Sequence, residues 1–210
     1  MPAIPAILPA HLTGSSVMPP SLCIELSGDE QSLLLEIARR SILSGLSTGR
    51  APQIDVAQQA ASLQIPAAVF ITLIHCGELR GCVGSLQAIE PLAQAVTNSA
   101  FNAAFRDRRF APVRVDELDD IRIEVSVLSE MEPLQVDSRQ ALLEALQPGV
   151  DGLLLEDQGC RSTFLPKVWD KIASPAEFVG QLLLKAGFGA GHWSDTMRCH
   201  RYHTRTFGEK

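Results

Sequence analysis

The run Ala67 to His75 (AAVFITLIH) constrains the fold more than any other part of the chain. Its β-branched and aromatic residues favour extended backbone, and it is too apolar for an exposed strand, so it predicts a buried β-strand. Cys76-Gly77-Glu78 interrupts it before Leu79 to Ser85. That punctuation predicts an antiparallel hairpin with Gly77 in the turn. A turn through Gly77-Glu78, with Cys76 facing Leu79, sets His75 opposite Arg80 and Leu73 opposite Cys82. In that register His75 and Cys82 are diagonal neighbours on one sheet face, and Arg80 points the same way.

Other periodicities fill in the frame. Ile121 to Leu128 alternates strictly, with Ile121, Ile123, Val125 and Val127 on one face and Arg122, Glu124, Ser126 and Leu128 on the other, which predicts a half-buried strand. Leu34, Ile37, Ala38 and Ser41 recur at helical spacing, with Ser27 or Asp29 available as the cap. Pro91 opens a helix from Leu92 to Phe105 with a small-residue packing face. A short helix is expected at Asp137 to Leu146, a strand pair at Leu153 to Glu156 and Cys160 to Leu165, and a helical turn at Pro166 to Lys171. Ser174-Pro175-Ala176-Glu177 has the form of a capping box and opens a helix that stops at Gly187. Met197 to Phe207 reads as an edge or surface strand.

Composition limits what such a frame can do. With 210 residues and 46% hydrophobic content the chain can bury a substantial core. Its 18 Lys plus Arg against 24 Asp plus Glu leave a charge of −6, which disfavours bulk binding to nucleic acid or anionic membranes. Five cysteines without a CxxC pair read as reduced thiols of a cytoplasmic protein, so neither a zinc site nor a cofactor is expected from them. Residues 1–21 are proline-rich and lack Lys and Arg, so they are expected to form a disordered tail before a single globular unit over 22–210. No apolar run reaches the ~18 residues of a membrane span.

The most suggestive chemistry is Leu79-Arg80-Gly81-Cys82-Val83-Gly84. A nearby guanidinium favours thiolate over thiol, so Arg80 makes Cys82 a candidate nucleophile. Gly81 and Gly84 remove side chains so that a ligand or another backbone can approach. Glu124 and Ser126 are candidates to border a pocket. Cys23, Cys76, Cys160 and Cys199 are assigned to packing. The run Arg106-Asp107-Arg108-Arg109, with Arg114 beyond, reads as bracing at a helix end, in which Asp107 pairs with an arginine. Trp169 and Trp193 read as packing residues, and His192, His200 and His203 lack metal-site spacing.

Leu79 to Gly84 resembles the hallmark of the AMMECR domain family, usually written LRGCIG, with valine in place of isoleucine. Asp107-Arg108-Arg109-Phe110, Glu124 to Ser129, Asp151-Gly152, Phe164 to Trp169, Lys185-Ala186-Gly187 and Trp193 follow in the family's order. The resemblance covers about Glu30 to Glu209 and is strongest to the bacterial branch, protein A of the AmmeMemoRadiSam system. It implies an α+β fold with a mainly antiparallel sheet packed with helices, a larger and a smaller lobe, and a cleft near the hallmark. It also implies a Memo-type protein and a radical S-adenosylmethionine enzyme as partners.

Two functions are consistent with these residues. In one, Cys82 is the nucleophile of an enzyme acting on a small molecule or nucleobase. Arg80 then holds the thiolate or the substrate, and backbone amides near Gly81 and Gly84 stabilise developing charge. In the other, Leu79 to Gly84 docks a ligand or partner without catalysis. An iron or copper site using Cys82 with Glu124 or His75 is a third, weaker expectation.

Overall fold

The computed structural model describes residues 24–210; the expected disordered tail lies outside them. These residues form two four-stranded antiparallel sheets, each with its own helices, giving the expected α+β architecture.

Helix α1 (Gly28–Thr48) starts at Ser27, whose hydroxyl accepts from Glu30 N–H while Glu30 accepts from Ser27 N–H. It stops at Gly49, whose φ of 71° suits a residue without Cβ. Its stripe Leu34, Ile37, Ala38 and Ser41 is buried, and Ser41 Oγ satisfies itself on Thr97 O at 2.7 Å. Strands β1 (Val69–His75) and β2 (Glu78–Gly84) form the expected hairpin, and α2 (Leu92–Phe105) follows. The alternating strand is β3 (Ile121–Leu128). Then come β4 (Glu132–Leu134), α3 (Arg139–Ala145), β5 (Gly152–Asp157), β6 (Cys160–Phe164), a 3-10 turn at Pro166–Asp170 and α4 (Pro175–Lys185). β7 (Arg198–Tyr202) and β8 (Thr204–Gly208) end the chain.

The first sheet has the order β2-β1-β3-β8 and packs Val69, Ile71, Leu73, Ile121, Ile123, Val125 and Val127 against α1 and α2. The second has the order β4-β7-β5-β6 and a separate core, in which Trp169 stacks on Phe178 at 3.8 Å. Ala68, Leu128 and Tyr202, with Phe70, Met131 and Leu165 against them, join the lobes.

The last segment differs from the single surface strand expected. It divides at His203, and β7 is paired on both sides, to β4 and β5, while β8 joins the other sheet. The two strands read as one in the sequence because only His203 separates Tyr202 from Thr204. Ser129 fastens the crossing: its N–H donates to His203 O at 2.9 Å, and its Oγ accepts from His203 N–H at 2.9 Å.

The hairpin register also differs, and the site depends on it. His75 pairs with Glu78, so the turn residues are Cys76 (φ 53°) and Gly77 (φ 83°), the two positive-φ positions of a type I′ turn. The ladder then shifts between Leu73 and Ile74, leaving Arg80 as the extra residue of a β-bulge. Beyond the bulge Cys82 faces Thr72 and Gly81 faces Leu73.

Candidate functional site

The one-residue shift decides which way the thiol points. Opposite Leu73, which is fully buried, Cys82 would join the core; opposite Thr72 it lies on the other face, toward the second lobe. Through Thr72, Cys82 shares a transverse row with Glu124 and Gly208, spanning all four strands. Thr72 Oγ1 donates to Cys82 Sγ at 3.5 Å, and Cys82 is half-buried.

β2 is an edge strand, and an edge leaves N–H and C=O groups unpaired. At Cys82 both are taken by one ion pair. Cys82 N–H donates to Asp107 Oδ2 at 2.9 Å, and Arg109 Nη2 donates to Cys82 O at 3.0 Å. Arg109 also grips Asp107, with Nε to Oδ1 at 2.9 Å and Nη2 to Oδ2 at 2.6 Å. The loop after α2 thus supplies the missing partner for the hallmark segment. Asp107 and Arg109 brace as expected, and what they brace is the Cys82 peptide.

The far wall comes from the second lobe. Lys167, in the 3-10 turn, pairs with Glu124. Lys185, at the end of α4, donates to Thr163 O at 2.9 Å and lies 5.1 Å from the Phe164 ring centre. Burial lowers the Lys185 pKa, and the Arg109 charge lowers it further, while Cys82 pulls it upward.

Several expected placements change. Arg80 does not accompany Cys82: Nε and Nη2 bind Glu117 at 2.7 and 3.0 Å, and Nη2 also reaches Pro112 O at 3.3 Å. Its bulge position re-aims the side chain. His75 falls on the opposite face of β1 from Thr72, at the strand end opposite Glu78, so no Cys82–His75 dyad forms. Gly81 and Gly84 make room for protein. A Cβ on Gly81 would overlap the Ala103 carbonyl of α2, and one on Gly84 would overlap Val69 O and the Phe70 ring. Ser126 is buried and bonded to Thr206 Oγ1 at 2.9 Å, on the same face as Glu124. Of the cysteines assigned to packing, Cys199 is buried and its thiol is pushed up to about 12 by desolvation. Cys76 and Cys160 instead are exposed at hairpin ends, and Cys23 lies outside the described residues.

Thr72, Lys167 and Lys185 were not singled out as site residues from the sequence. Lys167 and Lys185 sit in segments that carried the family resemblance, but nothing in their spacing connects them to Cys82. Elsewhere, Trp169 Nε1 donates to Asp151 O, and His192 and His203 pair with Asp157 and Asp151. No group of three or more His, Cys, Asp or Glu able to hold a metal ion occurs among the described residues. Two open surface hollows of about 340 and 270 Å³ lie at the tips of the β5–β6 and β1–β2 hairpins and include no residue of the row.

The two ion pairs around the hallmark respond to acid. Arg109, then the Cys82 N–H, hold the Asp107 carboxyl down at about 2 against burial, and Arg80 does the same for Glu117, also to about 2. Both folded-state values are depressed, so both groups stabilise the fold at neutral pH. That contribution is lost as pH falls from about 4.5 toward 2. Urea unfolding across this window is expected to show falling stability, with a shallower decline in Asp107→Asn.

Comparison with known proteins identifies the architecture. The AMMECR1 family model matches residues 35–207. A Methanothermobacter thermautotrophicus protein is 38% identical over 195 residues, covering 88% of this chain and 96% of its own length. One from Thermofilum pendens is 34% identical over 202 residues, covering 88% and 92%. The crystal structure of uncharacterized protein PH0010 from Pyrococcus horikoshii superposes with a TM-score of 0.80 at 29% identity, covering 86% of this chain and 91% of that one. The match spans the hallmark strand, the Asp107–Arg109 clamp and both lysines of the facing lobe, and this chain belongs to the AMMECR1 family.

Proposed function

We propose that the chain is an enzyme in which Cys82 is the nucleophile toward a small molecule or nucleobase lying over the Cys82–Thr72–Glu124 row. One observation carries this reading: a thiol outside the core has its peptide N–H and C=O both held by a buried carboxylate and its arginine. Packing alone does not call for such a clamp, whereas a nucleophile must be held within a fraction of an ångström of its working position. Thr72 orients the sulfur, Lys185 and Arg109 supply positive potential, and the Glu124–Lys167 pair offers a group for proton transfer across the substrate.

The test is competitive alkylation by iodoacetamide, read by mass spectrometry. Accessibility alone ranks exposed Cys76 and Cys160 ahead of half-buried Cys82 and leaves Cys199 last. The proposal expects Cys82 to react about tenfold faster than Cys76 and Cys160. A rate at or below theirs sinks it.

A non-catalytic docking role is favoured by one observation, the commitment of Arg80 to Glu117, which leaves the hallmark arginine no part in activating the thiol. Under that reading Cys82→Ser keeps ligand binding. We further propose cytoplasmic residence, a single globular unit over 22–210, and membership of the bacterial branch, with a Memo-type protein and a radical S-adenosylmethionine enzyme as partners. The hexapeptide resemblance supports the branch and the partners; the disulfide-free cysteines among the described residues support the compartment. No helix among the described residues is long and apolar enough to cross a membrane. Co-purification of the tagged chain with a co-expressed Memo-type protein tests the partnership.

A further inference from the structure

The sheet face that carries Cys82 continues below its row. Side chains alternate along a strand, so Ile74 follows Thr72 and Arg122 follows Glu124 on that face, roughly 7 Å further along. Ile74 and Arg122 are paired with each other across β1 and β3. With Cys76, Gly77 and Asp120 they line the hollow of about 270 Å³ at the tip of the β1–β2 hairpin. That hollow is therefore one step down the same face from the thiol.

Its lining is unpartnered. Ile74 is half-buried and belongs to none of the three apolar clusters. Arg122 donates from Nη1 to Asp119 O at 2.9 Å and to Ile121 O at 3.4 Å, and among the described residues no carboxylate is in ion-pair contact with it. Glu124, the next residue on that face of β3, is bound by Lys167. Asp120 lines the same hollow and has no cation partner among the described residues. A guanidinium and a carboxylate on one hollow, held out of contact with each other, present complementary charges to a ligand that carries both signs.

We propose that this hollow is the lower half of the Cys82 site and takes the α-amino-acid end of the ligand. Arg122 binds the carboxylate, Asp120 binds the ammonium, and Ile74 is the floor for an apolar chain that runs up to the thiol. Only the position of the ligand's other end rests on the reading of Cys82 as the reacting group. On strand spacings the Cα atoms of Cys82 and Arg122 are roughly 12 Å apart, a distance that an extended chain of lysine length and two reaching side chains cover. A phosphate or a dicarboxylate suits the hollow less, because Asp120 repels a second negative charge.

The thiols themselves report occupancy. Cys76 lines the hollow, Cys82 heads the row above it, and Cys160 is exposed on a different hairpin. Nε-acetyllysine is the probe: it joins an amino-acid end to an apolar chain and an unreactive amide. N-acetyl-ε-aminocaproate lacks its ammonium, and the amide of that acid lacks both charges. Iodoacetamide labelling is followed by mass spectrometry with and without each probe, and every variant is compared with itself. Rising Nε-acetyllysine is expected to slow Cys76 and Cys82 about fivefold or more with one common midpoint, while Cys160 keeps its rate. The midpoint is expected to rise about tenfold in Arg122→Gln, in Asp120→Asn and with N-acetyl-ε-aminocaproate, and the neutral amide protects neither thiol. Both substituted side chains are exposed, and buried Cys199 stays unlabelled while the variants are folded. Protection of neither thiol or of Cys76 alone, a midpoint unchanged in Arg122→Gln or Asp120→Asn, or equal protection by the caproate overturns the proposal. The rates without probe judge the other reading separately. A Cys82 no faster than Cys160, with protection intact, overturns the nucleophile alone; a fast Cys82 without protection overturns this subsite alone.

Discussion

Arg80→Ala is expected to cost about 3 kcal/mol of unfolding free energy while leaving the alkylation rate of Cys82 in the folded protein unchanged. The guanidinium and the Glu117 carboxylate are 14% and 19% exposed, so removing one strands the other where water solvates it poorly. Arg80 Nη1 is already buried without a hydrogen-bond partner among the described residues, so the pair is not fully satisfied even intact. Breaking a pair of this kind costs more than exchanging it for apolar groups. Arg80→Met combined with Glu117→Leu is therefore expected to be more stable than either single variant. Urea denaturation supplies the free energies, and iodoacetamide kinetics on the folded variants supply the chemistry. A slowed Cys82 in a folded Arg80→Ala protein would return Arg80 to the thiol's surroundings.

Gly81→Ala is expected to be at least as damaging, about 3 kcal/mol or more, because the added methyl meets backbone and not a side chain that can rotate away. Gly81 lies where α2 comes down on β2, and its missing Cβ is the space filled by the Ala103 carbonyl. To admit a methyl, the helix must lift from the sheet and open the core beneath Leu73, Val96 and Ala100. Gly28→Ala is the control: nothing lies within 4 Å of the added Cβ, and its stability should change little. Thermal unfolding of both variants makes the comparison, and equal effects would refute the packing role of Gly81. The two glycines of the hallmark thus explain its local composition without a ligand, and any functional content of the motif is carried by Cys82.

The predictions about Arg80, His75 and the glycines separate what the sequence could show from what it could not. Element identity was legible wherever a residue's own neighbours set its environment. The alternation of Ile121, Ile123, Val125 and Val127 recurs as four fully buried side chains, and the Ser27 and Ser174 caps open the helices they were expected to open. The family was legible too, because its motifs are strings of adjacent residues.

Register was not legible. Whether Cys76-Gly77 or Gly77-Glu78 makes the turn is a difference of one residue, and the bulge at Arg80 adds another that no local pattern announces. That displacement reverses the face on which Cys82 lies, detaches it from His75 and turns Arg80 toward Glu117. The sequence by itself determined the four helices, the β1–β2 and β5–β6 hairpin strands, β3 and the candidacy of Cys82, since these follow from short-range periodicity and backbone preference, whereas β4 and the division of the last segment into β7 and β8 did not show in it. Only the tertiary structure decided what surrounds the thiol. Asp107 and Arg109 hold its peptide from the loop after α2, Thr72 meets its sulfur from the neighbouring strand, and Lys167 reaches Glu124 of the same row from the second lobe, all contacts between segments distant in the chain that only the packed fold brings together.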